Sequence, residues 1–221
     1  MASDIVITSD STTDLSPELR ERYNISVAPL GITLGDKVYT DGVDITPDDI
    51  YAHHAKTGEL PKTTATNVGD CLDFFKKFTD EGKTVIHFTI SSDMSSTYNN
   101  ACIAASELEN VYVIDTKNLS TGGGLLVVAA AEMLRDGLSA EEIVRKSTEL
   151  IPCVDASFVI DSLEYLYKGG RCSALAMFGA NLLKLKPCIQ VKNGKMDVSK
   201  KYRGKFEDVL KQYITEKAED Y

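Results

Sequence analysis

Histidine is scarce in this chain, with three among 221 residues. His53 and His54 are neighbours in a helical stretch, where adjacent side chains project about 100° apart, so they do not share a metal. His87 lies inside an apolar strand and reads as a packed or surface residue. A nucleophilic hydroxyl needs a base beside it, and the chain has no G-x-S-x-G elbow either. Basic residues are also in deficit: 24 Lys and Arg stand against 33 Asp and Glu, a net charge of −9. That balance argues against nucleic acid as a partner, since its binding needs a basic face. The five cysteines (71, 102, 153, 172 and 188) are odd in number, scattered and without C-x-x-C, which argues against a metal site or a disulfide framework. The longest purely apolar stretch, Leu125 to Ala131, is too short to cross a bilayer, and no signal peptide precedes the first strand. The expectation is a cytoplasmic protein without stable membrane insertion. No G-x-x-x-x-G-K-[ST] loop is present, and Gly122-Gly123-Gly124 lacks G-x-G-x-x-G spacing, leaving either backbone approach to a ligand or helix packing to explain it.

What remains is an ordinary globular composition, 43% hydrophobic and 26% charged, long enough for one large domain or two smaller ones. Residues 1–150 alternate strand and helix: strand 5–7, a helix capped by Ser16-Pro17, strands 25–30 and 32–39 (the latter bent at Gly35-Asp36), and a helix capped by Thr46 and ended by Gly58. An uncharged hydroxyl loop, apart from Lys62, spans Leu60 to Val68. Helix 69–81, strand 84–90, helix 95–108, strand 111–114, helix 120–136 and a helix opened by the Ser139/Glu142 capping box follow. This alternation predicts a parallel sheet covered by helices. Residues 151–221 read as a second α/β domain: strand 156–160, helix 163–167 stopped by Gly169-Gly170, a Met/Phe/Leu-rich helix near 174–185, strand 187–191, a turn at Asn193-Gly194, and a charged helix from about Gly204.

Hydroxyls are concentrated in turns. After strand 84–90, five of the seven residues from Ser91 to Thr97 carry one: Ser91, Ser92, Ser95, Ser96 and Thr97. A helix start offers unpaired N–H groups and a partial positive charge, so the turn suits a small anion held by neutral donors. Plain helix capping is the alternative. Leu60 to Asn67 forms a second donor-rich loop, or a solvated turn with Thr66 or Asn67 as cap. Asp10 and Asp115 both follow buried strands and belong at the carboxyl edge of the sheet, where α/β ligand sites form; there they orient hydroxyls, cap helices or bind Mg²⁺. Lys168 and Arg171 flank the Gly169-Gly170 turn, a contact for phosphate or an acidic partner unless Lys168 only compensates the helix dipole.

Six ordered segments together resemble the DegV family: S-D-S-T-T-D-L (9–15), Y-x-D-G-x-D-I (39–45), T-T-A-T (63–66), S-S-x-x-S-x-T-Y (91–98), Asp115, and L-E-Y-L-x-K-G-G-R (163–171). The resemblance implies two α/β domains enclosing a long-chain fatty acid, which is a ligand and not a cofactor. Some family members are the lipid-binding subunit of bacterial fatty acid kinase, in phospholipid metabolism; a separate ATP-binding subunit phosphorylates the carboxylate. By position, the resemblance makes Thr63 and Ser95 the carboxylate donors, with Thr64 and Ser92 beside them, and assigns Arg171 to phosphoryl transfer or kinase docking. No catalytic or metal-ligating residue is implied. The family's threonine loop usually reads T-S-Q-P, whereas Ala65 and Thr66 stand here; the given sequence ends before the family's C-terminal His/Gly-rich segment, so the second domain is expected to be incomplete, either as a fragment or without that contribution.

Burying about fifteen methylenes at ~0.8 kcal/mol each contributes roughly 12 kcal/mol. Head-group hydrogen bonds are largely offset by desolvation. The tail therefore sets affinity and the head group sets orientation. Ala174 to Leu183, with Met94, would wall the tail or be core. A hydrolase of small esters or phosphates using the serine turn is the alternative function.

Overall fold

The computed structural model describes residues 4–172 and 185–219. The chain divides into two compact units, Met1–Val154 and Asp155–Tyr221. In chain order the first contains β1 (Ile5–Asp10), α1 (Pro17–Tyr23), β2 (Ser26–Ala28), β3 (Gly31–Leu34), β4 (Lys37–Thr40), α2 (Pro47–Thr57), β5 (Lys62–Thr64) and α3 (Val68–Thr79). β6 (Thr84–Thr89), α4 (Thr97–Ser106), β7 (Val111–Asp115), α5 (Ser120–Arg135) and α6 (Ala140–Leu150) complete it.

Its centre is a four-stranded parallel sheet in the order β2-β1-β6-β7. Strand alternation sends side chains to two buried faces, as a parallel sheet requires. Ile7, Ile86, Phe88 and Ile114 pack against Leu126, Val127 and Ala130 of α5 and Ile143 of α6. Val6 and Val85 pack on the other side against Phe74 and Phe75 of α3 and Ala101 and Ala104 of α4. Helix starts follow local chemistry: Ser16, Thr46, Asn67 and Ser139 each accept a bond from a first-turn N–H, and Thr46/Asp49 and Ser139/Glu142 form complete capping boxes.

Two sequence expectations change here. The bent strand 32–39 is a hairpin, β3 with β4 antiparallel, turning at Gly35-Asp36 with Gly35 at φ 61°. The loop from Leu60 contains β5, which pairs antiparallel with β3 and places Thr63 opposite Ile32. These strands form a separate sheet, β4-β3-β5, over a small core of Ile32, Leu34 and Ile45.

The second unit contains β8 (Ala156–Val159), α7 (Glu164–Gly169), β9 (Lys186–Lys192), β10 (Lys195–Tyr202) and α8 (Phe206–Glu219). The sheet is antiparallel, β10-β9-β8, with Val159, Cys188, Tyr202 and Val209 at its core. Asn193 (φ 51°) and Gly194 (φ 80°) make the β9–β10 turn, both left-handed as a type I′ hairpin requires. β10 is an addition to the sequence reading. The helix expected near 174–185, with its tail-lining residues, lies almost wholly outside the described residues.

Candidate functional site

The chain order fixes where a crevice can open. From β1 the chain passes to β2 on one side, then crosses to β6 on the other, so the carboxyl ends of β1 and β6 form a switch point. Ligands in open α/β sheets bind at such points. The turns after β1, β6 and β7 meet there.

The turn after β1 is braced internally. Asp10 is fully buried, and its carboxylate accepts hydrogen bonds from the Thr12 N–H (3.1 Å), the Thr12 hydroxyl and, across the switch point, the Ile90 N–H (2.7 Å). Burial raises its pKa above the ordinary carboxylate value while these hydrogen bonds oppose the rise. Ser11 Oγ accepts from the Leu30 N–H at 3.1 Å, and Ser9 Oγ lies 2.9 Å from Thr13 Oγ1. Thr13 also accounts for Gly124: a Cβ there would meet the Thr13 carbonyl at 2.8 Å, so α5 packs close against the turn after β1.

The serine turn follows β6. The N–H groups of Met94 and Ser95 both donate to the Ser91 carbonyl, at 2.9 and 3.2 Å, and the Ser91 N–H donates to the Asn118 carbonyl at 2.9 Å. Ser95 Oγ accepts from the Thr97 N–H (3.2 Å) and lies 2.9 Å from Thr97 Oγ1. Ser96 occupies the cap position of α4 without a side-chain cap bond. Ser92, half-buried, donates its N–H to Asp115 Oδ1 at 3.2 Å.

The turn after β7 brings a charge that the sequence reading missed. Lys117 adopts a left-handed conformation (φ 50°) and returns its N–H to Asp115 Oδ1 at 3.0 Å. Its Nζ reaches Ser92 Oγ at 2.8 Å, Asp93 Oδ2 at 3.0 Å and Asp115 Oδ2 at 3.0 Å. The hydrogen bond to Asp115, then that to Asp93, raises its pKa, so it stays an ammonium. A cation therefore stands on a turn expected to hold neutral donors alone. The only sequence signal was a lysine two residues after a strand-end aspartate.

Thr63 and Thr64 are exposed on β5. Their segment is tied to the serine-turn helix because Asn100 Nδ2 of α4 donates to the Thr66 carbonyl at 2.8 Å. Asn67, not Thr66, caps α3, accepting from the Asp70 N–H at 2.9 Å. Thr66 is instead buried, 6% exposed, with a hydroxyl that has no hydrogen-bond partner. Arg171 is exposed in the second unit, its Nη1 donating to the Gly169 carbonyl at 2.6 Å after Gly170 ends α7 at φ 71°. Lys168 pairs with Glu164 one turn back, at 2.7 Å. His87 is sealed in the core against Phe74 and Phe75, its Nδ1 2.9 Å from Thr8 Oγ1, and burial holds its pKa down at about 3. Among the described residues no group of three or more His, Cys, Asp or Glu is placed to hold a metal, and no helix is long and apolar enough to cross a membrane.

Relatives carry the same framework. A DegV domain-containing protein of Clostridium perfringens is 35% identical over 202 residues, 90% of this chain and 72% of that one. A DegV family protein from Thermus thermophilus, described as fatty-acid-binding, superposes with a TM-score of 0.85 at 31% identity, covering 96% of this chain and 77% of its own. A stearic-acid-binding protein from Eubacterium ventriosum matches with a TM-score of 0.85 at 34% identity, covering 97% and 78%. The family model described as "uncharacterised protein, DegV family" matches residues 4–220. With nearly its whole length matched by that model, the chain belongs to the DegV family.

Proposed function

We propose that this protein binds a long-chain fatty acid, with its carboxylate at the serine turn, and presents that carboxylate to an ATP-binding kinase subunit for conversion to an acyl phosphate. The observation that carries the reading is the meeting of hydroxyl-bearing turns at the β1–β6 switch point in a chain 34% identical to a stearic-acid-binding protein of the same fold. In this reading Ser92 and Ser95, with Thr63 and Thr64, donate to the carboxylate, and Arg171 serves phosphoryl transfer or docking of the kinase subunit. The protein acts in the cytoplasm as a carrier without catalysis of its own, apart from nucleic acid and without membrane insertion.

The chemistry of the turn supports a carrier over a hydrolase. Lys117 is held protonated by two carboxylates, and His87, the histidine nearest in sequence, is locked in the core. Neither is a base for a serine nucleophile. Native mass spectrometry of the purified protein is expected to reveal a bound acyl chain of one ligand per protomer. Apo protein that takes up no stearate on addition would overturn the reading. Ser95→Ala is expected to weaken stearate binding moderately and to abolish acyl-phosphate formation by a reconstituted kinase. Arg171→Ala should spare binding and impair that reaction.

A further inference from the structure

We infer that Lys117 is a positioning residue that turns the Ser92 hydroxyl into an obligatory donor toward the anionic head group. The inference rests on the proposed carboxylate site.

An ammonium carries three N–H donors and no acceptor. Lys117 Nζ donates to Ser92 Oγ at 2.8 Å and to Asp93 Oδ2 at 3.0 Å, and pairs ionically with Asp115 Oδ2 at 3.0 Å. Ser92 Oγ must accept in its bond with Lys117, so its own O–H proton points to a different acceptor. Ser95 contrasts with it: its hydroxyl already accepts from the Thr97 N–H and shares one hydrogen with Thr97 Oγ1, where either atom can donate. Ser95 can satisfy itself within the turn; Ser92 cannot be satisfied by Lys117 alone.

Three further features hold the geometry. Asp115 Oδ1 accepts both the Ser92 N–H and the Lys117 N–H, at 3.2 and 3.0 Å, so one carboxylate registers the two residues against each other. The left-handed backbone at Lys117 folds its side chain back over the serine turn. The Lys117 side chain is 41% exposed and that of Asp115 only 12%, so the cluster is open on its cationic side. A hydroxyl that accepts from an ammonium is a stronger donor in turn, because chained hydrogen bonds polarise one another. A carboxylate is the acceptor such a donor favours.

A double-mutant cycle tests this with two probes, stearate and stearyl alcohol, which share a tail and differ in head-group charge. Lys117→Met and Ser92→Ala are each expected to weaken stearate binding by about tenfold, the worth of one hydrogen bond to a charged group. Stearyl alcohol affinity should change less than twofold in both, which also verifies that the variants fold. The decisive arm is Lys117→Met in the Ser92→Ala background, where no further loss is expected. A further tenfold loss there would mean that Lys117 attracts the carboxylate directly and would overturn the inference. Stearate binding unchanged in Lys117→Met would overturn it as well. Failure of the wild-type protein to bind either probe would instead remove the fatty-acid reading itself.

Discussion

Asp10 and Asp115 close two neighbouring turns at the same sheet edge, yet they perform different work. Asp10 has no solvent exposure and spends its carboxylate on the backbone of its own turn and on Ile90. Asp115 binds the Ser92 and Lys117 N–H groups and the Lys117 ammonium at a partly open surface. The first is a strut across the switch point, and the second registers Lys117 against the serine turn. Burial separates them, since sequence gives both the same residue type at the same strand position.

The strut should be the costlier to remove. Asp10→Ala leaves two inward N–H groups without acceptors and is expected to destabilise the fold by ~3 kcal/mol, read as a lowered urea midpoint. Loss of under 1 kcal/mol would mean that the turns re-form without it. His87 gives the next largest effect. Its folded pKa of about 3 lies below the usual 6.5, so its contribution is complete above pH 6.5 and is lost as pH falls towards 3. Between pH 6 and 4, stability should fall by on the order of 1 kcal/mol per pH unit more in the wild type than in His87→Asn. Equal slopes in the two proteins would contradict the sealed imidazole.

Asp115→Asn acts on the turn after β7. It is expected to cost about tenfold in stearate affinity and only ~1 kcal/mol in stability, since Lys117 loses its register while the core stays intact. A stability loss matching that of Asp10→Ala would erase the distinction between the two aspartates. The smallest effect belongs to Thr66→Val. Removing a buried hydroxyl without a partner should leave stability unchanged or raise it by under ~1 kcal/mol, in a thermal melt of the delipidated protein. A clear loss would point to a bound water or ligand at that hydroxyl.

The legible parts of the fold were those decided locally. Caps at Ser16, Thr46 and Ser139 follow from short patterns whose partners lie within a few residues, and the strands β1, β6 and β7 from short buried apolar runs. β5 was illegible because a three-residue Lys-Thr-Thr strand has no pattern of its own and exists by pairing with β3. β10 was hidden by its charge: its inward residues Met196 and Tyr202 are separated by a bulge between Val198 and Lys200, which breaks the alternation. At the site, the serine turn was visible from composition. Lys117 was not, because a left-handed backbone at a non-glycine residue decides where its side chain goes.

In the proposed function a carboxylate sits among the donors at the β1–β6 switch point. The most direct measurement is a ¹³C NMR pH titration of carboxyl-labelled stearate bound to the protein. The bound carboxyl is expected to have its pKa held below that of an exposed carboxylic acid, and to move up when Ser92 is replaced by alanine. A bound carboxyl that titrates as if in water, unaffected by Ser92→Ala, would contradict it.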